Sequence, residues 1–255
     1  MKRVDLNSDI GEGFGRYKLY DEEEIIPYLT SVNIACGFHA GDPNIMHKVV
    51  KLCHDHKVGI GAHPGFPDLL GFGRRYMKIK DEERENYLYY QLGALEAFAK
   101  LYGEKVQHCI AHGAWGNWLE EDMENAKTFV QSIARYDKDI IIMAISEGYR
   151  IQAAREMGLR TANEFFADRE VGNNGRLVPR SVKGSVIHDV EKIKDRVLKA
   201  VLEGKLSSFE GKELDVKVDT VCVHGDTPGA LKIIEAIRSA LEKEGVVITK
   251  FGDFV

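Results

Sequence analysis

The sequence predicts a single α/β domain, residues 1–255, folded as a β/α barrel. Short strand-like runs that are apolar on both faces alternate with amphipathic helices, a pattern typical of a parallel sheet covered by helices. Nearly every run is followed by an ionisable or amide side chain. In a doubly wound sheet such residues gather at one switch point, whereas every strand of a barrel delivers residues to one C-terminal mouth. The distribution therefore favours the barrel.

The first three strand-like runs are 4–7, 32–36 and 58–62. Polar side chains stand at or just beyond the end of each: Asn7 and Asp9 for the first run, His39 and Asp42 for the second, and His63 for the third. Asp42 followed by Pro43 is a helix N-cap signal, because the carboxylate accepts free backbone N–H groups and proline suits the first helical position. A second helix is predicted over about 81–102.

The later strand-like runs are 106–111, 140–145, 160–167, 220–224 and 246–251. Four of them also end in candidate site residues: His112, then Glu147, then Asp168 and Arg169, then His224 and Asp226. A helix is predicted over 228–244, where Ala230, Ile234, Ile237 and Leu241 form one apolar stripe. The irregular stretch 168–188 is too long for an ordinary connection, and we expect a lid over the mouth.

Composition limits the partners. The chain has 255 residues, 44 % of them hydrophobic, and a formal charge of −5. It offers no basic surface for nucleic acid and no apolar run long enough for a signal or a membrane span. We expect a cytoplasmic protein with no nucleic-acid or membrane partner, and a homo-oligomer stays open. The four cysteines form no C-x-x-C pair and are expected to be buried, with only Cys36 a weak site candidate.

A ring of histidines and carboxylates has two chemical uses, metal ligation and general acid/base catalysis, and the sequence does not separate them. The histidines are too widely spaced for a short zinc motif, so a divalent metal would need ligands from several strands. His47, His54, His56, His108 and His188 are expected to be structural or solvated.

Two glycine-containing stretches lie near this ring. The stretch 7–17 lacks the G-x-G-x-x-G spacing of a dinucleotide site, and no P-loop occurs anywhere in the chain. It fits better a loop that brings backbone amides close to a small polar ligand. The stretch 65–75 carries Arg74 and Arg75, which suit bidentate binding of a carboxylate or phosphate.

Six motifs, in order along almost the whole chain, resemble the motif series of the LamB/YcsF family. They are DLNSDIGEGFG (5–15), NIACGFHAGDP (33–43), GAHPGFPDLLGFGRR (61–75), HGAWGN (112–117), FADREVGNNGRLVPR (166–180) and CVHGDTP (222–228). The resemblance implies a distorted TIM-like barrel of the glycoside hydrolase/deacetylase type. It also implies one subunit of an ATP-dependent enzyme that hydrolyses 5-oxoproline to L-glutamate together with subunits B and C. ATP would be a co-substrate that a partner subunit binds or shares.

The residues and the resemblance together give the candidate site. The predicted catalytic residues are Asp9, Glu12, His39, Asp42, His63 and His112. The predicted substrate-binding residues are Asn7, Asn33, Arg74, Arg75, Asn117, Asp168, Arg169, Arg180, His224 and Asp226. No metal ligand is assigned.

Two positions depart from the family pattern. The family has Lys-Pro before its fourth-strand histidine, where this chain has Ile110-Ala111, and a tyrosine where this chain has Val171. Without that lysine the chain would be slow, altered in substrate, or rescued by another cation such as Arg74, Arg75, Arg169 or Arg180. Two other hypotheses stay open: a metal-dependent carbohydrate deacetylase-like hydrolase, and a lactam-binding subunit without catalysis.

Overall fold

The computed structural model describes residues 1–255 and contains a closed barrel of seven parallel strands with flanking helices. The barrel strands are β1 (Arg3–Ile10), β2 (Ser31–Ala35), β3 (Gly59–His63), β4 (Val106–Cys109), β5 (Ile141–Ile145), β6 (Thr161–Phe166) and β9 (Thr220–Cys222). The ring follows this order and closes where β9 pairs with β1, with Asp5 opposite Thr220. The barrel prediction is confirmed, and each of the first seven predicted runs overlaps a barrel strand.

Three further strands lie outside the ring. β7 (Lys205–Ser207) and β8 (Glu213–Asp215) form a separate antiparallel hairpin that the sequence did not predict. β10 (Val247–Ile248) comes from the eighth predicted run and pairs only with the start of β1, where Arg3 lies opposite Val247. The eighth run therefore forms a strand, but this strand is not part of the closed barrel. In this respect the barrel differs from a regular eight-stranded TIM barrel.

Eight helices surround or cap the barrel. They are α1 (Glu22–Ile25), α2 (Pro43–His56), α3 (Asp81–Leu101), α4 (Gly113–Leu119), α5 (Met123–Tyr136), α6 (Tyr149–Glu156), α7 (Val190–Glu203) and α8 (Ala230–Lys243). The Asp42 carboxylate caps α2, since its Oδ1 accepts the N–H groups of Asn44 at 2.8 Å and Ile45 at 3.1 Å. No helix combines the length and the apolar composition needed to cross a membrane.

The barrel interior is polar on one side. His108 on β4 donates from Nε2 to the Asn33 side-chain oxygen on β2 at 2.7 Å, although β3 lies between these two strands. Gly61 on β3 makes this crossing possible, because a Cβ there would lie 1.9 Å from His108 Nε2. The network continues from Asn33 to Asn7 at 2.9 Å and from Asn7 to Thr220 at 2.6 Å. The expected structural role of His108 agrees with this position.

The other side of the interior is apolar. A buried cluster joins residues of β5, β6, the end of β4 and a 3-10 helix near the C-terminus: Ile110, Ile141, Met143, Ala162 and Phe251. Burying such side chains stabilises the barrel by about 1.5–3 kcal/mol each. The polar side can therefore hold fixed side chains beneath the mouth while the apolar side supplies packing.

The stretch 168–188 is a folded excursion rather than an open loop. Arg169 bridges to Val186 and Val171 bridges to Leu177, so the chain doubles back on itself twice. Ser185 and Ile187 are buried within it. The excursion carries arginine side chains to the mouth, and its proposed action as a lid stays a prediction.

Candidate active site

A cavity of about 470 Å³ opens at the C-terminal ends of the barrel strands. Its walls come from β1, β3, β5 and β6, from the segments that follow β1, β3, β4, β6 and β9, and from α4 and α6. The lining includes the predicted site residues Asp9, Glu12, His63, Arg74, His112, Asn117, Arg169, Arg180 and His224. Residues from widely separated parts of the chain thus meet in one place, as the barrel predicts.

Asp9 and His63 form an ion pair at the floor of this cavity. His63 Nε2 lies 3.4 Å from Asp9 Oδ2. Burial alone would raise the pKa of the Asp9 carboxyl, but the charges of His63 and His224 hold it well below its usual range. Burial likewise opposes charge on His63, yet Asp9 and Glu12 raise the pKa of this histidine above its usual value. Both shifts favour a carboxylate on Asp9 beside an imidazolium on His63.

The hydrogen bonds of His63 and His112 define their protonation. His63 Nδ1 donates to the Ile110 carbonyl at 2.9 Å, and His63 Nε2 donates to His112 Nδ1 at 2.9 Å. His112 Nε2 in turn donates to the Phe72 carbonyl at 2.9 Å. Burial and the charge of His63 lower the pKa of His112 to about 3, so His112 is neutral. An acceptor at Nδ1 and a donor at Nε2 satisfy both of its neighbours.

Glu12 is the second carboxyl group of the cavity and differs from Asp9 in protonation. Its Oε1 lies 3.7 Å from His112 Nδ1 and 3.6 Å from His39 Nε2, and no protein group donates a hydrogen bond to it. Burial and the negative charge of Asp9 raise the pKa of Glu12 to about 8. Glu12 is therefore mostly a neutral acid at pH 7.

His39 lies directly behind the cavity wall. Its ring stacks on His112 with centroids 3.8 Å apart and planes 3° from parallel. His39 is fully buried, is not part of the cavity lining, and has no hydrogen-bond partner at either ring nitrogen. Burial and the neighbouring histidines lower its pKa well below the usual value. The structure places this predicted catalytic residue in the cluster, where it supports His112.

A second charged pair adjoins the cavity, which His224 lines and Asp168 does not. His224 Nδ1 donates to Asp168 Oδ1 at 2.8 Å, and the Thr227 hydroxyl donates to Asp168 Oδ2 at 2.6 Å. Burial disfavours the imidazolium, but Asp168 dominates and raises the pKa of His224 to about 9. His224 Nε2 also lies 4.0 Å from Asp9 Oδ2. The carboxylate of Asp9 thus faces two protonated histidines.

Four residues offer ligand atoms that could hold a metal ion. One ligand atom from each of Glu12, His39, His63 and His112 lies within 4.8 Å of the others, and all four residues are buried. The donor types suit zinc or a similar divalent ion. The rings of His39 and His112 lie in nearly parallel planes, and one ion cannot lie in both planes, so these two rings cannot both bind it without rotating. A metal would need fewer of these ligands or a local rearrangement.

Several predicted residues lie outside the cavity. Asp42 serves α2 as its N-cap and also accepts the Gly15 N–H at 2.8 Å. Arg75 is mostly exposed and pairs with Asp68. Asn7 and Asn33 are fully buried in the network beneath Asp9. Asp226 accepts a hydrogen bond from Arg74 at 3.0 Å.

The departures from the family pattern lie in or beside the site. Ile110 and Ala111 line the cavity where the family has Lys-Pro, and the Ile110 carbonyl accepts the His63 hydrogen bond. Val171 lines a neighbouring cavity of about 300 Å³ together with Glu164. The four cysteines are buried, and burial raises the pKa of Cys36 to about 12, which disfavours a thiolate nucleophile.

Several residues that line or adjoin the cavity were not predicted from the sequence. Arg150 on α6 forms a buried salt bridge to Glu120 at 2.7 Å, and both residues line the main cavity. Arg176 also lines it. Glu164 is buried with neither carboxyl oxygen hydrogen-bonded, and burial together with Asp9 raises its pKa to about 8. Only its polar identity within an apolar strand could have drawn attention to Glu164.

Comparison with known proteins shows relatives along the full length. A model of the LamB/YcsF family matches residues 4–255. A protein of Pyrococcus abyssi that is named as a 5-oxoprolinase subunit is 50 % identical over 253 residues, which is 99 % of each chain. The crystal structure of a lactam utilization protein from Thermus thermophilus superposes with a TM-score of 0.89 at 40 % identity, covering 97 % of this chain and 99 % of the other.

A more distant structure shares the fold alone. A family 4 carbohydrate esterase from Streptomyces lividans has a TM-score of 0.53 at 11 % identity, covering 97 % of this chain and 91 % of the esterase. The TIM-like barrel expected from the motifs is therefore found, and this esterase shares it.

Proposed function

The chain belongs to the LamB/YcsF family, and on this premise we propose that it is the lactam-hydrolysing subunit of an ATP-dependent 5-oxoprolinase. One observation carries the proposal beyond family membership: two carboxyl groups of one cavity, Asp9 and Glu12, have pKa values displaced in opposite directions. Carboxyl groups separated in this way are typical of paired base and acid catalysts.

The reaction assigns one proton transfer to each carboxyl group. Water adds to the carbonyl carbon of 5-oxoproline, and the Asp9 carboxylate accepts the proton that the water loses. The C–N bond of the ring then breaks, and neutral Glu12 gives its proton to the departing nitrogen. The product is one molecule, L-glutamate, which carries a new carboxyl group and a free amine where the ring was closed. His63 and His112 orient Asp9 and hold its charge.

ATP enters because the five-membered lactam is an unactivated amide. When ATP is used, its terminal phosphoryl group passes to the amide oxygen with release of ADP, which activates the carbonyl carbon. Addition of water and cleavage of the C–N bond then give an acyl phosphate, and a second water releases inorganic phosphate from it. The chain has no P-loop, so we propose that subunits B and C of the same enzyme bind the nucleotide, alone or at a site shared with this chain. The subunit designation of the Pyrococcus relative supports an assembly.

The absent family lysine has nearby replacements. Arg74, Arg169 and Arg180 line the cavity, whereas Arg75 does not. His63 supplies a further positive charge 3.4 Å from Asp9. We propose that these groups together provide the charge stabilisation that a lysine at position 110 would give.

A second candidate is a metal-dependent hydrolase of the deacetylase type. The specific observation that favours it is the buried donor set of Glu12, His39, His63 and His112. Stoichiometric, tightly bound zinc together with acetate release from an acetylated sugar in the absence of ATP would support this function. A lactam-binding subunit without catalysis would instead bind 5-oxoproline in an inactive complex and gain activity on Ile110→Lys.

The test is reconstitution with subunits B and C, measuring glutamate formed from 5-oxoproline and ATP. We expect activity from the complex and none from the purified chain alone. Asp9→Asn should lower the rate of the complex about 10²- to 10⁴-fold, the usual range for a lost acid or base, with an unchanged melting curve. Steady glutamate production by the chain alone, or an active Asp9→Asn complex, would contradict the proposal.

A further inference from the structure

Three arginines of the 168–188 excursion point to an anion site in the main cavity. Arg169, Arg176 and Arg180 all line this cavity. None of the three guanidinium groups has an Asp or Glu oxygen within 4.0 Å, whereas Arg74 and Arg150, which line the same cavity, pair with Asp226 and Glu120. Three cations without carboxylate partners therefore share one wall.

Arg169 is the most constrained of the three. It is 6 % exposed, its Nη2 donates to the Val178 carbonyl at 2.7 Å, and its buried Nε has no acceptor. Burial and the charge of Arg180 lower the pKa of Arg169 to about 10, so the two guanidinium groups are close enough to repel each other. A buried cation beside another cation is unfavourable unless an anion joins them.

The adjacent carboxylate is not available for this purpose. Asp168 already accepts hydrogen bonds from His224 and Thr227. Arg176 instead lies over the Tyr149 ring, with its guanidinium carbon 5.5 Å from the ring centroid. The excursion thus presents free fork-shaped donors to the cavity, a geometry that suits bidentate binding of tetrahedral or planar oxyanions.

We propose that Arg169 and Arg180, assisted by Arg176, form an oxyanion subsite that receives a phosphoryl group on the substrate. Charge favours a phosphoryl group over the lactam carboxylate alone, since one carboxylate brings one negative charge to three unpaired cations and a phosphoryl group brings nearly two. The identity of the carrier, a lactam phosphorylated on its amide oxygen, rests on the proposed function. This subsite then implies that a phosphoryl-transfer reaction outside this cavity supplies the substrate.

The test uses the purified full-length chain and two probes, inorganic phosphate and acetate, titrated by calorimetry at pH 8. Phosphate should bind at least about tenfold more tightly than acetate, and Arg169→Gln and Arg180→Gln should each weaken phosphate binding at least about tenfold, as expected for a lost charge-assisted hydrogen bond. Arg135→Gln is the control, because Arg135 pairs with Glu85 on the outer surface.

Melting curves show which variants fold. If Arg169→Gln does not fold, the test rests on Arg180→Gln, because Arg180 is only half-buried. Absence of phosphate binding, binding insensitive to folded Arg180→Gln, or acetate binding as tight as phosphate binding would each overturn the inference. Glutamate formation by the reconstituted complex tests the proposed function separately, so either idea can fail while the other stands.

Discussion

The side-chain amide of Asn33 donates a hydrogen bond to Asp9 Oδ1 over 2.9 Å, which fixes the carboxylate from below while His63 approaches its other oxygen. The Asn33 oxygen meanwhile accepts from His108. Asn33 is therefore the junction between the catalytic pair and the buried network of the barrel.

Replacing Asn33 by alanine should affect both stability and turnover. Loss of the amide leaves His108 Nε2 and the side-chain oxygen of Asn7 without their hydrogen-bond partner, and each unsatisfied buried polar group costs about 1–3 kcal/mol. Without this hydrogen bond the Asp9 carboxylate is less well oriented, so kcat should fall by a larger factor than KM rises. Denaturant titration and steady-state kinetics of the reconstituted complex measure the two effects. An Asn33→Ala protein that loses stability but retains the full kcat would show that Asn33 serves the fold alone.

Glu12 predicts the alkaline limb of the pH–rate profile. Its pKa is raised to about 8, so the protonated form that donates to the ring nitrogen is lost as the pH rises through that value. The rate of the complex should fall above about pH 8, and in Glu12→Gln the remaining rate should no longer show this limb. Glu124→Gln on the exposed face of α5 is the matched control. Persistence of the limb in Glu12→Gln would assign it to another group.

The sequence predicted the barrel well because its strands are buried on both faces. All five residues are buried in both β2 and β3, which explains why these strands can be recognised as mostly apolar runs in the sequence. The placement of His63 and His112 in one cavity also followed, since parallel strands of a barrel end at the same rim. Asp42 was predicted both as a helix cap and as a catalytic residue; the structure confirms the cap, and the catalytic role stays a prediction.

What the sequence could not reveal depends on side-chain direction and strand partners. Arg150 and Glu120 lie near helix ends, where nothing in the local pattern says which side faces the mouth. The run 246–251 predicts a strand correctly but not its neighbour, so its pairing with the first residues of β1 required the structure. The β7–β8 hairpin was missed because its strands have three residues each, too few for a periodicity.

The His224–Asp168 pair predicts a specific pH dependence of stability. The pKa of His224 is raised to about 9 in the folded protein, against about 6.5 when unfolded. The stabilisation that protonated His224 contributes to the folded protein is fully present below pH 6.5 and is lost as the pH rises through 9. The pKa of Asp168 is lowered, so on the acid side the same contribution is lost as the pH falls below about 4. The window of greatest stabilisation is therefore about pH 4 to 6.5.

Asp168→Asn should remove this contribution, which is on the order of 3 kcal/mol. The difference in free energy of unfolding between wild type and variant should be largest near pH 6 and shrink toward pH 9.5. Urea titrations at the two pH values measure it. Asp55→Asn, at an exposed pair with Lys51, should show no such trend. A difference that stays constant from pH 6 to 9.5 would mean that His224 does not titrate with Asp168.

Gly61 gives the sharpest test of the barrel interior, because His108 passes over it to reach Asn33. A Cβ at position 61 would lie 1.9 Å from His108 Nε2, so Gly61→Ala must displace the ring and break its 2.7 Å hydrogen bond to Asn33. Overpacking of a core costs about 1–3 kcal/mol, and the lost hydrogen bond leaves buried partners unsatisfied at a further cost of about 1–3 kcal/mol.

The matched control is Gly93→Ala in α3, where a Cβ meets no atom within 4 Å. Alanine there should stabilise the protein by about 0.5–1 kcal/mol, because glycine is unfavourable inside a helix. We therefore expect the same chemical change to lower the melting temperature at position 61 and raise it at position 93. Gly61→Ala should also slow the complex, since Asn33 loses the partner that orients it under Asp9. A Gly61→Ala protein that melts with the wild type would show that His108 does not cross β3 as the structure places it.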